Sequence, residues 1–256
     1  MTKRRVVVTG MGMISPIGHT VEESWQAAVA GRSGIGLNES FDTTDYPVKI
    51  CGSVRDFDIS TFMNPKEARR IDEFIQLGIA AAAQAIQDAG IEAHPNDADR
   101  FGVAIGSGIG GINNIESTHD TLVKSGPRRV SPFFVPGVVI NMISGNVSIE
   151  YGFKGPNIAV VTACTTGTHN IGFGARMIQY GDADVMVVGG AEAATSPITV
   201  AGFASMRALS SRNDEPQKAS RPWDEDRDGF VLGEGAGVLV LEEYERAKAR
   251  GVEIYG

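Results

Sequence analysis

The chain has 256 residues, a hydrophobic content of 42% and a formal net charge of −8, which is typical of a globular protein long enough to bury a sizeable core. The acidic balance argues against general nucleic-acid binding, and no apolar run reaches the length of a membrane span. Two cysteines in a chain of this length form no disulfide framework, so we expect a reducing, cytoplasmic setting.

Strand and helix signals alternate along the chain. A buried strand is predicted over 6–10, and Thr20 then begins a capping box for the first helix. Residues 32–62 show no clear period and are predicted to form an irregular insertion. Asn64, followed by a proline, begins a second helix that we expect to run to Gly90.

The remaining predicted elements continue the alternation. In chain order they are a strand over 101–105, helices over 111–125 and 136–151, a strand over 158–163, a helix from Cys164, strands over 184–188 and 237–241, a helix over 243–250 and a strand-like run at 252–255. Strands that alternate with helices predict a layered α/β fold with a largely parallel sheet.

Cys164 is the candidate nucleophile. It lies where the predicted strand 158–163 turns directly into a helix, at the positive end of the helix dipole and near N–H groups without helical partners. This position favours a thiolate, and the same N–H groups could hold the oxyanion of an acyl transfer. The alternative, a small buried apolar cysteine, is the interpretation we give to Cys51. His169 is predicted to be structural.

Several long motifs occur in order along the whole chain. They are VVVTGMG at 6–12, IGSGIGG at 105–111, GPRRVSPFFVP at 126–136, TACTTGTHNIG at 162–172, DADVMVVGGAE at 182–192 and SRPWDEDRDGFVLGEGAG at 220–237. Together they resemble the β-ketoacyl-[acyl-carrier-protein] synthases, the condensing enzymes of fatty acid synthesis. The likeness is closest to the synthase II group, which elongates longer acyl chains.

The resemblance implies a thiolase-like fold, in which two similar α/β halves form five layers and the protein pairs as a homodimer. Residues 1–256 would be the N-terminal half, with a mixed, mostly parallel five-stranded sheet between helical layers. Cys164 would take the acyl group from acyl carrier protein as a thioester, and decarboxylated malonyl-carrier protein would then attack it. Two histidines, a lysine and a second oxyanion N–H would come from the absent C-terminal half. No cofactor and no metal are implied.

The resemblance also assigns substrate-binding residues. Gly108, Ile109, Phe134 and Phe203 match residues that line or gate the acyl pocket, and Phe134 would reach the pocket across the dimer. The strand 158–163 would pair antiparallel with the same strand of the second copy.

A group of basic residues suits an acidic partner, here acyl carrier protein. Lys66, Arg69 and Arg70 are spaced to share one face of the predicted second helix. The group also includes Arg128 and Arg129, after a Gly-Pro turn, and Arg207, near Phe203. These residues match the family's carrier-docking face, where charge steers and orients the partner more than it adds affinity.

Two local patterns point to other ligands and are interpreted differently. Gly106 to Gly111 fits the dinucleotide pattern G-x-G-x-x-G, but the acidic residue expected on a second strand is missing. We interpret these glycines as room for an acyl chain and a helix. Asp224 to Gly229 begins like a calcium loop without the acid at its twelfth position, and is predicted to be a loop braced by ion pairs.

Two alternative functions stay open. One is a thiolase-fold enzyme that uses coenzyme A, against which the motifs at 126–134 and 227–231 argue. The other is a non-catalytic half for carrier docking or dimerisation. Cys164 argues against that alternative for the whole protein, but the isolated chain lacks an acid–base pair and is not expected to complete the reaction.

Overall fold

The fold is known from a computed structural model, which describes residues 4–256. Its strands are β1 (Val6–Ile14), β2 (Gly36–Leu37), β3 (Ile50–Cys51), β4 (Phe101–Gly106), β5 (Asn157–Ile158), β6 (Val185–Glu192) and β7 (Gly235–Glu243). Its α-helices are α1 (Val21–Val29), α2 (Pro65–Ala68), α3 (Glu73–Ala89), α4 (Ile112–Ser125), α5 (Phe134–Val138), α6 (Met142–Tyr151), α7 (Thr166–Tyr180), α8 (Pro197–Ser205) and α9 (Tyr244–Arg250).

The central sheet has five strands in the order β1-β7-β6-β4-β5. β4 pairs in parallel with β5 and β6, whereas β7 is antiparallel to both β1 and β6. The predicted mixed five-stranded sheet is therefore confirmed. Four of its five strands run in the same direction, as expected for a mostly parallel sheet, and β7, between β1 and β6, runs in the opposite direction.

Helices cover both faces of this sheet. α3 packs on one face against β1, β7 and β6, with α6 beside it on β4, and α7 packs on the other face against β6 and β4. The larger core lies under α3, where Phe74 and Ile75 are fully buried against Val187 and Val240. Gly12 of β1 lies so close to α3 that a side chain would overlap the carbonyl oxygen of Ala81. The alanine-rich sequence of α3 thus permits a close helix–sheet contact.

The prediction of one helix from Asn64 to Gly90 is wrong, because this range forms two helices. α2 ends at Ala68, and Asp72 begins α3 as an extended, buried N-cap. The Asp72 carboxylate accepts a hydrogen bond from the N–H of Phe74 at 3.4 Å and a second from the N–H of Asn114 in α4 at 2.8 Å. This long-range contact fixes the break.

The helix predicted over 136–151 is also two helices, α5 and α6. Val139 adopts an extended conformation between them. α5 is held in place by Gly137, whose carbonyl oxygen accepts a hydrogen bond from the N–H of Asp72 at 2.9 Å. The break after Ala68 and the break after α5 are therefore linked by one backbone contact.

The insertion 32–62 is irregular apart from the short antiparallel pair β2–β3 and a single 3₁₀ turn at Ile59–Thr61. The run at 252–255 is not a regular strand, although the N–H of Tyr255 donates to the carbonyl oxygen of Val8 at 2.9 Å. Within residues 4–256, no helix combines the length and the apolar character needed to cross a membrane.

Candidate functional site

Cys164 lies in a single 3₁₀ turn, Ala163–Thr165, directly before α7. The preceding Ala163 has φ +54°, a left-handed conformation that costs a non-glycine residue about 1–3 kcal/mol and persists only when its surroundings hold it. This sharp turn leaves the thiol of Cys164 exposed at the N-terminus of the helix. Cys164 thus lies directly before a helix, as predicted, but a 3₁₀ turn and not a strand leads into that helix.

The segment before Cys164 is not the buried strand that we predicted. Only Asn157 and Ile158 pair with β4, and Val161 is 47% exposed. The prediction fails because β5 is the edge strand of the sheet, where one side has no neighbouring strand. An apolar run at an edge can remain open to water.

Side chains of α7 hold this exposed segment instead of a strand ladder. Asn170 is fully buried, and its Oδ1 accepts from the N–H of Val160 at 3.0 Å while its Nδ2 donates to the carbonyl oxygen of Val160 at 2.9 Å. Thr166 Oγ1 accepts from the N–H of Thr162 at 2.9 Å. His169 Nδ1 lies 2.7 Å from the hydroxyl of Thr162, which agrees with the structural role predicted for this histidine.

A cavity of about 730 Å³ opens beside Cys164. Gly108, Ile109 and Phe203, three of the four predicted pocket residues, line it together with Cys164. Phe203 packs edge-to-face against Phe230 with 5.4 Å between ring centroids. The lining is largely apolar, and the volume falls in the range of small-molecule sites, about 300–1,000 Å³. The geometry suits a flexible apolar ligand next to a thiol.

Phe134, the fourth predicted pocket residue, is not brought to this cavity. It is the first residue of α5 and is half-buried there. Its predicted role across a dimer stays a prediction.

The glycine-rich loop at 106–111 is already occupied by an acidic side chain of the same chain. The carboxylate of Glu192, at the end of β6, accepts hydrogen bonds from Ser107 Oγ at 2.7 Å and from the N–H groups of Gly108, Ile109 and Gly110 at 2.9, 2.9 and 3.2 Å. A pyrophosphate would need those same donors. The dinucleotide interpretation therefore fails. A Cβ atom on Gly106 would lie 2.7 Å from the side chain of Thr166 in α7, so a helix does pass close to this loop, and room for an acyl chain stays a prediction.

Glu192 and Phe230 are cavity residues that the sequence analysis did not single out. Both occur inside motifs that carried the resemblance, at the ends of GGAE and RDGF. Their place inside these motifs was the one signal in the sequence that could have marked them as site residues. Their contacts depend on strand adjacency and loop packing, which a local pattern does not reveal.

The predicted face of Lys66, Arg69 and Arg70 does not exist as one helix face, because α2 ends at Ala68. The three side chains are nevertheless exposed. The guanidinium of Arg70 lies 4.2 Å from the ring centroid of Phe133, which places it beside the segment 127–133.

The other predicted docking residues lie on separate exposed turns. Arg128 and Arg129 belong to a 3₁₀ turn between α4 and α5. This turn is part of the segment 127–133, which Arg70 contacts at Phe133. Arg207 follows α8 and has φ +56°. It is therefore close in sequence to Phe203 of the cavity, but no contact joins it to Arg70 or to Arg128.

Acidic groups cluster at the N-terminus of α3, where Asp72 is buried and the neighbouring Glu73 keeps an exposed surface. Burial raises the pKa of Asp72, and the negative charge of Glu192 adds to the effect. Burial, followed by the charges of Glu234 and Asp72, raises the pKa of Glu73 to about 7. Burial also raises the pKa of the Cys51 thiol, which disfavours its thiolate and supports the structural interpretation of that cysteine.

The loop from Asp224 to Gly229 is braced as predicted. Arg221 forms a salt bridge of 3.2 Å with Asp228, and the N–H of Asp226 donates to Asp224 Oδ1 at 2.8 Å. In the described part of the chain, no group of three or more His, Cys, Asp and Glu side chains is placed to hold a metal ion.

Comparison with known proteins places the chain in a family. Residues 3–247 match the family model "Beta-ketoacyl synthase, N-terminal domain". The chain is 63% identical over 255 residues to 3-oxoacyl-[acyl-carrier-protein] synthase 2 of Vibrio cholerae. The alignment includes the full length of this chain and 62% of the length of that relative.

Two solved structures share the fold. A beta-ketoacyl synthase from Burkholderia phymatum has a TM-score of 0.87 at 34% identity, over 98% of this chain and 62% of that one. A type II PKS acyl-carrier protein in complex with its ketosynthase bound to the hexaketide has a TM-score of 0.82 at 31% identity. This match covers 99% of the present chain and 61% of the matched one. The fold is therefore thiolase-like, and the chain belongs to the family of beta-ketoacyl synthase N-terminal domains.

Proposed function

We propose that this chain is the acyl-accepting part of a cytoplasmic 3-oxoacyl-[acyl-carrier-protein] synthase that elongates long acyl chains in fatty acid biosynthesis. One observation carries the proposal. The exposed thiol of Cys164 at the N-terminus of α7 borders an apolar cavity that Ile109 and Phe203 line. A thiol and an apolar cavity are what the transfer of a fatty acyl group requires.

In the first half-reaction, the thiolate of Cys164 attacks the carbonyl carbon of the acyl thioester on acyl carrier protein. The carbon–sulfur bond to the carrier breaks, the carrier thiol takes up a proton, and the acyl group stays on Cys164. The backbone N–H of Cys164, at the helix N-terminus, would hold the oxyanion of the tetrahedral intermediate. The acyl chain would lie along Gly108, Ile109 and Phe203.

In the second half-reaction, malonyl-carrier protein loses CO₂, and the resulting carbanion attacks the thioester on Cys164. The products are 3-oxoacyl-carrier protein and the free thiol. Decarboxylation needs polar groups near the malonyl carbonyl, yet no histidine or lysine of the described residues lines the cavity. Because the chain spans about 62% of its relatives' length, we assign the two histidines, the lysine and the second oxyanion N–H to the remaining part of the full-length protein.

Acyl carrier protein is the proposed partner. The exposed side chains of Arg69, Arg70, Arg128 and Arg129 lie on two segments joined by the contact of Arg70 with Phe133. In a protein of net charge −8, such a basic surface favours an acidic partner. One relative of known structure is a ketosynthase in complex with its acyl-carrier protein, which supports a carrier protein as the partner here. We include the exposed Lys66 in the same surface, and Arg207 as a separate exposed cation near Phe203.

We also propose a homodimer. The segment after β5 is exposed at the sheet edge, where the second copy's segment could pair antiparallel with it. Phe134 would then reach the cavity of the other copy.

A second candidate function is a non-catalytic half that docks the carrier or supports dimerisation. The absence of histidine and lysine from the cavity lining of the described residues favours it for the chain alone. A third, coenzyme A-dependent transfer, uses the same thiol with a different carrier.

The test is the intact mass of the chain after incubation with long-chain acyl carrier protein, beside the same acyl group on coenzyme A and beside Cys164→Ala. We expect an acyl adduct from the carrier protein that is lost in Cys164→Ala. No adduct in a sample folded by circular dichroism would contradict acyl acceptance and favour the docking half. An adduct from coenzyme A alone would favour the third function.

A further inference from the structure

The wall of the cavity next to Cys164 is a loop without regular structure. It runs from Ser107 to Gly111 and joins β4 to α4, and its members Gly108 and Ile109 line the cavity. The N–H groups of this loop point away from any strand ladder. A backbone donor in an apolar cavity needs an acceptor, because leaving it unpaired costs free energy comparable to a lost hydrogen bond.

Glu192 supplies that acceptor for three consecutive N–H groups and for the Ser107 hydroxyl, with the four distances given above. Hydrogen bonds to a carboxylate are charge-assisted and stronger than those between neutral groups. Ser107 Oγ in turn accepts from the N–H of Gly110 at 3.1 Å. One side chain at the end of β6 therefore holds Ser107 to Gly110, and the N–H of Gly111 donates to the carbonyl oxygen of Val138 at 3.3 Å.

The contact between Glu192 and the loop is direct and tight. A Cβ atom placed on Gly108 would lie 2.8 Å from Glu192 Oε2. Glu192 itself lines the cavity. The distance between the loop and Cys164 is thus set by a strand of the sheet, which is a rigid support, and not by the loop itself.

The start of α4 is fixed to the same region. The residue after Glu192, Ala193, accepts a hydrogen bond from Asn113 Nδ2 at 2.8 Å, and Asp72 accepts from the N–H of Asn114. Gly111, the N-cap of α4, makes no side-chain cap bond of its own. The end of the loop that leads into α4 is therefore fixed by acceptors from Ala193, directly after β6, and from the N-cap of α3.

We propose that Glu192 is a positioning residue that fixes the loop Ser107–Gly110 and so sets the shape of the cavity for the acyl chain beside Cys164. The inference rests on the proposed function only in naming an acyl chain as the occupant. Glu192 touches no reacting atom. Its effect reaches the acyl chain through Gly108 and Ile109.

The test compares two alkylating reagents that react with Cys164. Iodoacetamide needs only the thiol, whereas N-dodecyl iodoacetamide must also place its alkyl chain in the cavity. Peptide mass mapping locates each adduct on Cys164. For each reagent, the rate is measured against concentration in wild type, in Glu192→Gln and in Glu150→Gln, which removes one exposed carboxylate on α6 and serves as the matched control.

A glutamine at position 192 keeps one acceptor oxygen and turns an NH₂ group toward N–H donors. We expect Glu192→Gln to raise the half-saturating concentration of the dodecyl reagent about fivefold, with its limiting rate and the iodoacetamide rate changed less than about twofold. Glu150→Gln should match wild type. A structural role alone would lower thermal stability but leave the half-saturating concentration of the folded protein unchanged.

An unchanged half-saturating concentration in Glu192→Gln would overturn the proposal, as would an equal change for both reagents, which would indicate a displaced Cys164. If Glu192→Gln does not fold by circular dichroism, Ser107→Ala decides, because it keeps Glu192 and removes only the two hydroxyl contacts, 2.7 Å to Glu192 and 3.1 Å from the N–H of Gly110. A rise of about twofold for the dodecyl reagent then supports the proposal, and no rise overturns it. No carrier protein takes part, so failure of carrier-dependent acylation is a separate result.

Discussion

The side chain of Asn170 can be tested as the support of the segment that carries Cys164. Asn170→Ala removes three hydrogen bonds, two to Val160 and one of 2.9 Å to the carbonyl oxygen of Thr166. At about 1 kcal/mol net each, they set an upper value of about 3 kcal/mol. Val160 is only half-buried, so water replaces part of its lost partners. We expect unfolding to become easier by about 2 kcal/mol.

The assay is urea unfolding followed by circular dichroism, combined with the iodoacetamide rate at Cys164 in the folded state. Arg176→Ala is the matched control, because Arg176 lies on α7 and is exposed, and it should change stability by less than about 0.5 kcal/mol. Asn170→Asp should be worse than Asn170→Ala at pH 7, since a carboxylate would face two carbonyl oxygens. That excess should shrink as the pH falls and the carboxylate is protonated.

A loss of less than about 0.5 kcal/mol in Asn170→Ala would refute the reasoning. The segment 159–162 would then be held by something other than this side chain. An unchanged alkylation rate together with the expected loss would show that Asn170 supports the fold without setting the position of Cys164.

Three further predictions concern the docking surface and two acidic residues, Glu73 and Glu242. Lys66→Glu with Arg69→Glu should slow acylation by acyl carrier protein but leave alkylation by iodoacetamide unchanged, because docking is steered by charge. Glu73→Gln should flatten the fall in stability as the pH rises from 4.5 toward 7. Glu242→Ala should destabilise by about 3 kcal/mol, because Glu242 is fully buried between Arg246 and Arg250 at 3.2 and 3.0 Å.

The sign for Glu73 follows from its pKa, raised from 4.5 to about 7 in the folded state. The folded protein binds a proton more readily than the unfolded chain, so stability falls as the pH rises from 4.5 to about 7 and Glu73 becomes charged in the folded state. The residue also has an exposed surface, and screening by water keeps the effect below about 1 kcal/mol. Urea unfolding at pH 5 and pH 8 measures it. A parallel fall in Glu73→Gln would contradict the assignment.

The predictions for the double charge reversal and for Glu242→Ala can each be contradicted by one result. If the double charge reversal slows alkylation as much as acylation by the carrier, the site itself is disturbed and the docking surface is wrong. If Glu242→Ala unfolds within about 0.5 kcal/mol of wild type, the two arginines are satisfied by their other contacts, such as the bond of Arg250 to the carbonyl oxygen of Gly90.

The candidate nucleophile could be predicted from the sequence because its signal is local. An apolar run, then Cys164, then a helical pattern places the thiol at a helix N-terminus whatever the rest of the chain does. The first helix could be predicted for the same reason, since Thr20 accepts from the N–H of Glu23 at 3.1 Å within its own turn.

Long-range contacts explain what the sequence did not show. The break before α3 depends on the bond of Asp72 to Asn114, which lies 42 residues further along the chain. The sequence of the segment before Cys164 predicts a buried strand. The segment lies at the sheet edge, however, and the backbone of Val160 is hydrogen-bonded to the side chain of Asn170 and not to a strand. Glu192 could not be assigned a role, because its contact with the loop requires β4 and β6 to be parallel neighbours.

The central claim is that the cavity beside Cys164 holds an acyl chain attached to that thiol. A crystal structure of the chain alkylated at Cys164 with N-dodecyl iodoacetamide tests it most directly. We expect the alkyl chain to lie inside the cavity against Ile109 and Phe203. An alkyl chain that lies outside on the surface of α7, with the cavity left open, would contradict the claim.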